Sequence, residues 1–401
     1  MKMRKIILSL FLLCVSYFSF SQNDYVNQVL LLNEGCYNYY DNIILEPVTV
    51  GSYDPETNLY NTIIEIPNVR FASDLIIDGN SFYVAADNKI LKYDLDTYEL
   101  LSSVDQTGVR KLIIYEGFLF ASRGEYDCTT FGPVIFDSYL EVYLKDNLDY
   151  FTSFSTENGP QWSTESLLIT DNKLYVAINN AYEWGNYKGI VGVIELSTMD
   201  YSEIELGENA KNPINMMYRD NYIYTVNNKN WDGSSVSIIN VNSSDIQTID
   251  LSDVSAGCGV SIIRDNKLNY QKSSETELNI LDLETLEQSG VEANLEYNYY
   301  AIVENPLNGY LYAAIANFTS NSGVMVYDES NNQVNSFFAD VATSKIVFDI
   351  RSENFSVLPE SADNKELLGV FDPLGRSVYQ HNTISIHMFE DGTYNKKFII
   401  K

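Results

Sequence analysis

The residues able to do covalent chemistry in this 401-residue chain are few and poorly grouped. Both histidines, His381 and His387, lie near the C-terminus. The rest of the chain therefore has no Ser-His-Asp or Cys-His pair and no histidine metal site. No glycine-rich phosphate loop follows a strand-like run, and no acidic loop has calcium-binding spacing. Carboxylates are abundant but scattered through turns, as solvated turn residues are, so a carboxylate-pair hydrolase is the weakest reading. These absences predict no enzyme, no catalytic residue, no bound metal and no cofactor. Non-covalent recognition is better supplied. The chain holds 31 Tyr, 19 Phe and 3 Trp, enough flat apolar surface for ring stacking. The candidate ligand-binding residues are Tyr37, Tyr39, Tyr40, Arg70, Phe71, Arg110, Arg123, Tyr126, Trp162, Tyr182, Trp184 and Trp231. The three arginines suit an anionic part of a ligand, or equally a loop-fixing ion pair.

What must position these residues is a repeat. An apolar run, a tight polar turn, a second apolar run, a loop and a third strand-like run recur seven times, most clearly over 74–104, 166–206 and 214–251. A unit of this size is one small antiparallel sheet that must stack on its neighbours to bury its faces. The innermost strands are predicted to begin near Asp74, Lys111, Ser166, Ile214, Val260, Tyr300 and Ser344. The seventh, 344–350, has no partners after it, and the first unit (29–32, 48–53, 61–66) has no innermost strand. The last strand is therefore expected to complete the first sheet and close a seven-bladed β-propeller, an all-β fold without free sheet edges. Naming the strands A to D from the inside out, the A–B and C–D turns are short and share one face. The B–C and D–A loops share the other, and several are long and aromatic: 35–42, 67–73, 123–137, 155–164, 179–189, 227–233 and 293–300. All three tryptophans fall there. Long loops on a rigid scaffold are where binding is expected; the aromatics packing on one another is the competing reading.

Lys2, Arg4 and Lys5, an apolar stretch from Ile6 to Phe20, and the small-x-small triplet Ser19-Phe20-Ser21 read as a signal peptide over 1–21. Cleavage before Gln22 removes three basic residues and moves the formal charge from −30 to −33. Such a charge argues against nucleic acid or an anionic membrane as partner. Cys36, Cys128 and Cys258 remain after cleavage, either as one pair with a free thiol or as three free thiols. Two domains follow: a propeller over 22–350 and a small C-terminal β segment over 351–401, where apolar and polar residues alternate between turns.

The phrase at 82–85 with 90–94, repeated at 174–177 with 191–195 and 311–314 with 324–328, resembles the YVTN-type seven-bladed propellers. The opening LLNEG at 31–35 and SYDPET at 52–57 resemble the start of Bacteroidota surface propellers. That group includes cobalamin-capturing proteins that work beside outer-membrane transporters. The tail, through Asp372, Gly375, Arg376, Gly392, Tyr394 and the terminal Lys401, resembles a type IX secretion sorting domain, although it is short and lacks an opening Asn-Pro. These resemblances imply an exported protein, at the cell surface or extracellular, handled by the type IX machinery. They imply capture of a corrinoid, another tetrapyrrole or a glycan for a TonB-dependent transporter. A protein–protein adhesion or scaffold module is the alternative.

Overall fold

The computed structural model describes residues 24–180, 182–183, 185–229, 233–251 and 261–352, and the backbone of three strands between 367 and 398. The signal-peptide stretch, Trp184, Trp231, Cys258 and all the tail motif residues except Tyr394 lie outside the described residues.

Residues 24–351 form one compact unit made of seven four-stranded sheets. Blade 1 contains Thr343–Ser352, Asp24–Asn33, Val48–Asp54 and Leu59–Ile66, in that order from the inside out. Blades 2 to 7 span 74–105, 109–155, 164–205, 213–251, 261–294 and 301–341, each with its strands in sequence order. The chain is thus a seven-bladed β-propeller whose last strand closes the first blade, as the repeat predicts. Glu208–Ala210 forms a 3-10 turn at the entry to blade 5.

The apolar runs explain the stacking. Side chains alternate across a strand, and the B strands are buried on both faces, so nearly every position is apolar. In blade 2, Phe82, Val84 and Ala86 pack toward blade 1, while Tyr83 and Ala85 pack toward blade 3. In blade 1, Leu30 and Leu32 face blade 2, while Val29 and Leu31 face blade 7. Among the described residues seven such clusters, one per blade seam, run around the ring. Each fully buried large side chain contributes about 1.5–3 kcal/mol of hydrophobic free energy.

The polar turns fit their geometry. Asp171 and Asn172 both have positive φ (49° and 59°), and Asp220-Asn221 and Asp265-Asn266 repeat the pattern. Two successive residues of that kind make a hairpin turn whose twist matches the strands. The Asp that ends several C strands caps a turn: Asp94 accepts the backbone N–H groups of Asp96 (3.0 Å) and Thr97 (2.8 Å). Asp282 and Asp328 do the same for their own turns. Those N–H bonds hold the Asp94 carboxyl below its usual range, as a stably ionised turn residue.

A separate antiparallel sheet has the order Leu367–Phe371, Ile384–Phe389, Tyr394–Phe398.

Candidate functional site: a pocket at the mouth of the central channel

Two small hairpins stand on the loop face. In blade 1, Cys36–Asn38 pairs with Ile43–Glu46 between strands B and C. Its base turns at Gly35 (φ 70°), where a Cβ would lie 2.4 Å from the Glu46 carbonyl oxygen, so only glycine fits. Its tip is tied by the Asn38 side chain, which accepts the N–H groups of Tyr40 (2.9 Å) and Asp41 (3.0 Å). In blade 3, Tyr126–Asp127 pairs with Gly132–Pro133. The B–C connection of blade 2, between Ala86 and Lys89, is short, so a gap opens between the two hairpins.

That gap is a pocket of about 310 Å³ lined by Glu34, Tyr39, Arg70, Phe71, Arg110, Gly124, Glu125, Tyr126, Cys128 and Tyr182. Six of the twelve candidates from the sequence meet here: Tyr39, Arg70, Phe71, Arg110, Tyr126 and Tyr182. Arg110 and Tyr182 also line a larger cavity of about 620 Å³ built mainly from the A strands. The pocket therefore sits at the mouth of the propeller's central channel.

The charged groups of the pocket are mutually fixed. Arg70 donates from Nε to Asp87 (2.9 Å) and from Nη2 to Glu125, bridging blades 2 and 3. The bonds to Asp87 and Glu125 push the Arg70 guanidinium up and keep it charged. Arg110 makes a two-pronged pair with Glu165 of blade 4 (2.9 and 3.1 Å). Burial works against the Arg110 charge, but Glu165 outweighs it. Burial pushes the Glu34 carboxyl up, although Tyr300 donates to it (3.2 Å). The rings supply the walls. Tyr39 stands edge-on to Tyr37 (centroids 4.9 Å), and Tyr126 lies 6.4 Å from Tyr182. Gly124 permits the close approach of blade 4: a Cβ there would meet Ser163 Cβ at 2.7 Å and Tyr182 Cε2 at 3.1 Å.

Four candidates stand elsewhere. Tyr37 backs Tyr39 and donates to Asn42. Tyr40 is 95% exposed at the hairpin tip. Trp162 lies under the Lys188 ammonium (4.7 Å). Arg123 is spent inside blade 3: it bonds Glu141 (2.8 Å), Ser138 O (2.9 Å) and Thr107 O (3.1 Å), and it stacks on Phe136 (3.9 Å). All three arginines are thus engaged in ion pairs, which is the loop-fixing alternative of the sequence reading. The sequence reading missed Glu34, Glu125 and Cys128. Glu34 directly follows the B strand of blade 1, as Gly124, Asn179 and Asn228, which line the mouth pocket or the channel, follow theirs, and that was the available signal. Cys36 and Cys128 are free thiols. Among the described residues no group of side chains could hold a metal ion.

No family model and no curated protein matches the chain. Among solved structures it is similar to dihydro-heme d1 dehydrogenase NirN in complex with DHE, at 12% sequence identity and a TM-score of 0.51. The match covers 92% of this chain and 72% of that one. At this identity the likeness shows a shared propeller fold.

Proposed function

We propose that this chain is a non-catalytic ligand-binding propeller whose ligand docks in the pocket between the two hairpins. The observation that carries this reading is the convergence of Tyr39, Phe71, Tyr126 and Tyr182 from three blades and a connecting loop on one cavity. Aromatic walls with a few fixed polar groups are the usual make-up of a small-molecule site, and 310 Å³ is at the small end of that class. Such a volume takes one edge of a flat macrocycle, the remainder lying over the exposed Tyr39 and Tyr40. A corrinoid or another tetrapyrrole is the ligand class we favour, on the resemblance of LLNEG and SYDPET to cobalamin-capturing surface propellers. The name of NirN, a dihydro-heme d1 dehydrogenase, is in keeping with this. The same resemblance supports surface display and hand-over to a TonB-dependent transporter, and the resemblance of the tail to a sorting domain supports export by the type IX route.

A sugar is the second reading, favoured by the pocket's small volume and its carboxylates Glu34 and Glu125 among rings. The test is direct. The protein, incubated separately with cyanocobalamin and with haemin and then desalted, should keep a chromophore at about one per chain. A colourless protein that binds on a glycan array would transfer the site to sugars. A colourless protein silent on the array as well would refute small-ligand capture and leave the adhesion reading.

A further inference from the structure

The repeat lets one blade seam be compared with another. Between blades 2 and 3, the buried Lys92 donates across the seam to the carbonyls of Lys145 (3.1 Å) and Asp146 (2.9 Å), in the C–D turn of blade 3. Its ammonium lies 5.5 Å from the centre of the Tyr83 ring, whose hydroxyl donates to the same Lys145 carbonyl (2.9 Å). The seam between blades 5 and 6 has this frame without the lysine. Tyr83 pairs with Lys92 and Lys92 with Ser102; in blade 5 the matching pairs are Tyr224 with Ile238 and Ile238 with Gln247. The receiving turn matches too. The Lys145 N–H donates to the Gly117 carbonyl of its own blade, as Leu283 donates to Asn266, so Leu283 and Glu284 stand for Lys145 and Asp146. Ile238 carries no ammonium, and a cavity of about 430 Å³ remains beside it. Tyr222, Tyr224, Asp245, Gln247 and Glu284 also line this cavity, and no lysine or arginine does. Tyr224 is 5% exposed, yet among the described residues its hydroxyl makes no hydrogen bond, unlike that of Tyr83. Tyr222, where blade 2 has Ser81, adds a second ring 6.5 Å from the first. Asp245 and Glu284 join no ion pair among the described residues; their carboxylates accept neutral donors, Ser243 (2.6 Å) and Asn266 (2.8 Å).

We propose that this cavity binds a primary alkylammonium group, which takes the place that Lys92 fills in the other seam. Its N–H groups donate to the Leu283 and Glu284 carbonyls, and its charge lies against the Tyr224 ring. Tyrosine faces attract cations, and a charged donor makes a stronger hydrogen bond than a neutral one. Asp245 and Glu284 favour a cation over an anion at the same spot, and the net charge of −30 draws cations to the molecule as a whole. The cavity lies among the short C–D turns, on the face away from the mouth pocket, so it stands independently of what binds there.

The probe is n-butylamine, which copies a lysine side chain, followed by calorimetry on the full chain near pH 7. It should bind saturably at one per chain. Butan-1-ol, which lacks the charge, and butyltrimethylammonium, which lacks the N–H donors, should each bind about tenfold more weakly. Two further arms separate the sources of the ammonium. Tighter binding of putrescine assigns the site to free diamines, and tighter binding of Nα-acetyl-lysine amide assigns it to a lysine side chain of a partner; either order supports the proposal. Ile238→Lys rebuilds the arrangement of blade 2 and should block n-butylamine, whereas Ile238→Met should leave most of the binding. Should Ile238→Lys fail to fold, the ranking of the three butyl compounds on the unmutated protein decides the matter. No saturable n-butylamine binding, equal binding of butan-1-ol or butyltrimethylammonium, or undiminished binding to folded Ile238→Lys would each overturn the proposal.

Discussion

Glu34 shows how one side chain reports on the site. It stands where the B strand of blade 1 meets the mouth pocket, and burial pushes its carboxyl above the ordinary 4.5. The hydrogen bond from Tyr300 and the Arg110 and Lys111 charges oppose this without winning. A carboxyl raised in the folded state stabilises the fold below its unfolded value and loses that contribution as pH rises through the folded value. Glu34→Gln keeps an acceptor for Tyr300 and carries no charge. The variant should therefore match the native protein near pH 4 and exceed it near pH 8. Urea denaturation at the two pH values measures this. An equal or lower stability of Glu34→Gln near pH 8 would show that the carboxyl is not strained by burial.

At the scale of elements, the seam between the last and first blades matters most, because it closes the ring. Asp340, on the outer strand of blade 7, accepts hydroxyls of blade 1 from Thr49 (2.8 Å), Tyr60 (3.0 Å) and Thr62 (2.7 Å). Asp349, on the closing strand, accepts Asn27 (2.9 Å) and Gln28 (3.2 Å). A hydrogen bond to a charged group is worth about 1.5–3 kcal/mol net, so Asp340→Ala, which orphans three donors, should cost about 2–3 kcal/mol. A chemical melt with no measurable loss would mean that the apolar seam alone holds the closure. The strands and the closure were legible in the sequence because two-sided burial forces continuous apolar runs, such as Leu30-Leu31-Leu32 and Phe82-Tyr83-Val84-Ala85. The turns were legible through Asp-Asn pairs, which tolerate positive φ. The roles of individual loop residues were not. Arg70 and Arg123 look alike in sequence, yet Arg70 reaches the pocket and Arg123 turns inward under Phe136. Arg70 is held by a carboxylate from the hairpin loop of blade 3, Glu125, and Arg123 by one on the neighbouring strand of its own blade, Glu141, and loop sequence does not encode that.

At the scale of the whole molecule, the propeller turns a one-dimensional repeat into a shared mouth. Tyr39, Phe71, Tyr126 and Tyr182 are separated by up to 143 positions in sequence, yet seven-fold stacking sets them around one pocket. The central claim is that these rings hold a flat ligand. Calorimetry with cyanocobalamin on the native protein and on Tyr39→Ala/Tyr126→Ala tests it most directly. Each lost stacking ring should cost about 1–3 kcal/mol, by analogy with bases stacked on aromatic side chains. The account predicts saturable binding to the native protein and a loss of about a hundredfold in the double variant. Equal affinity in the two proteins would contradict it.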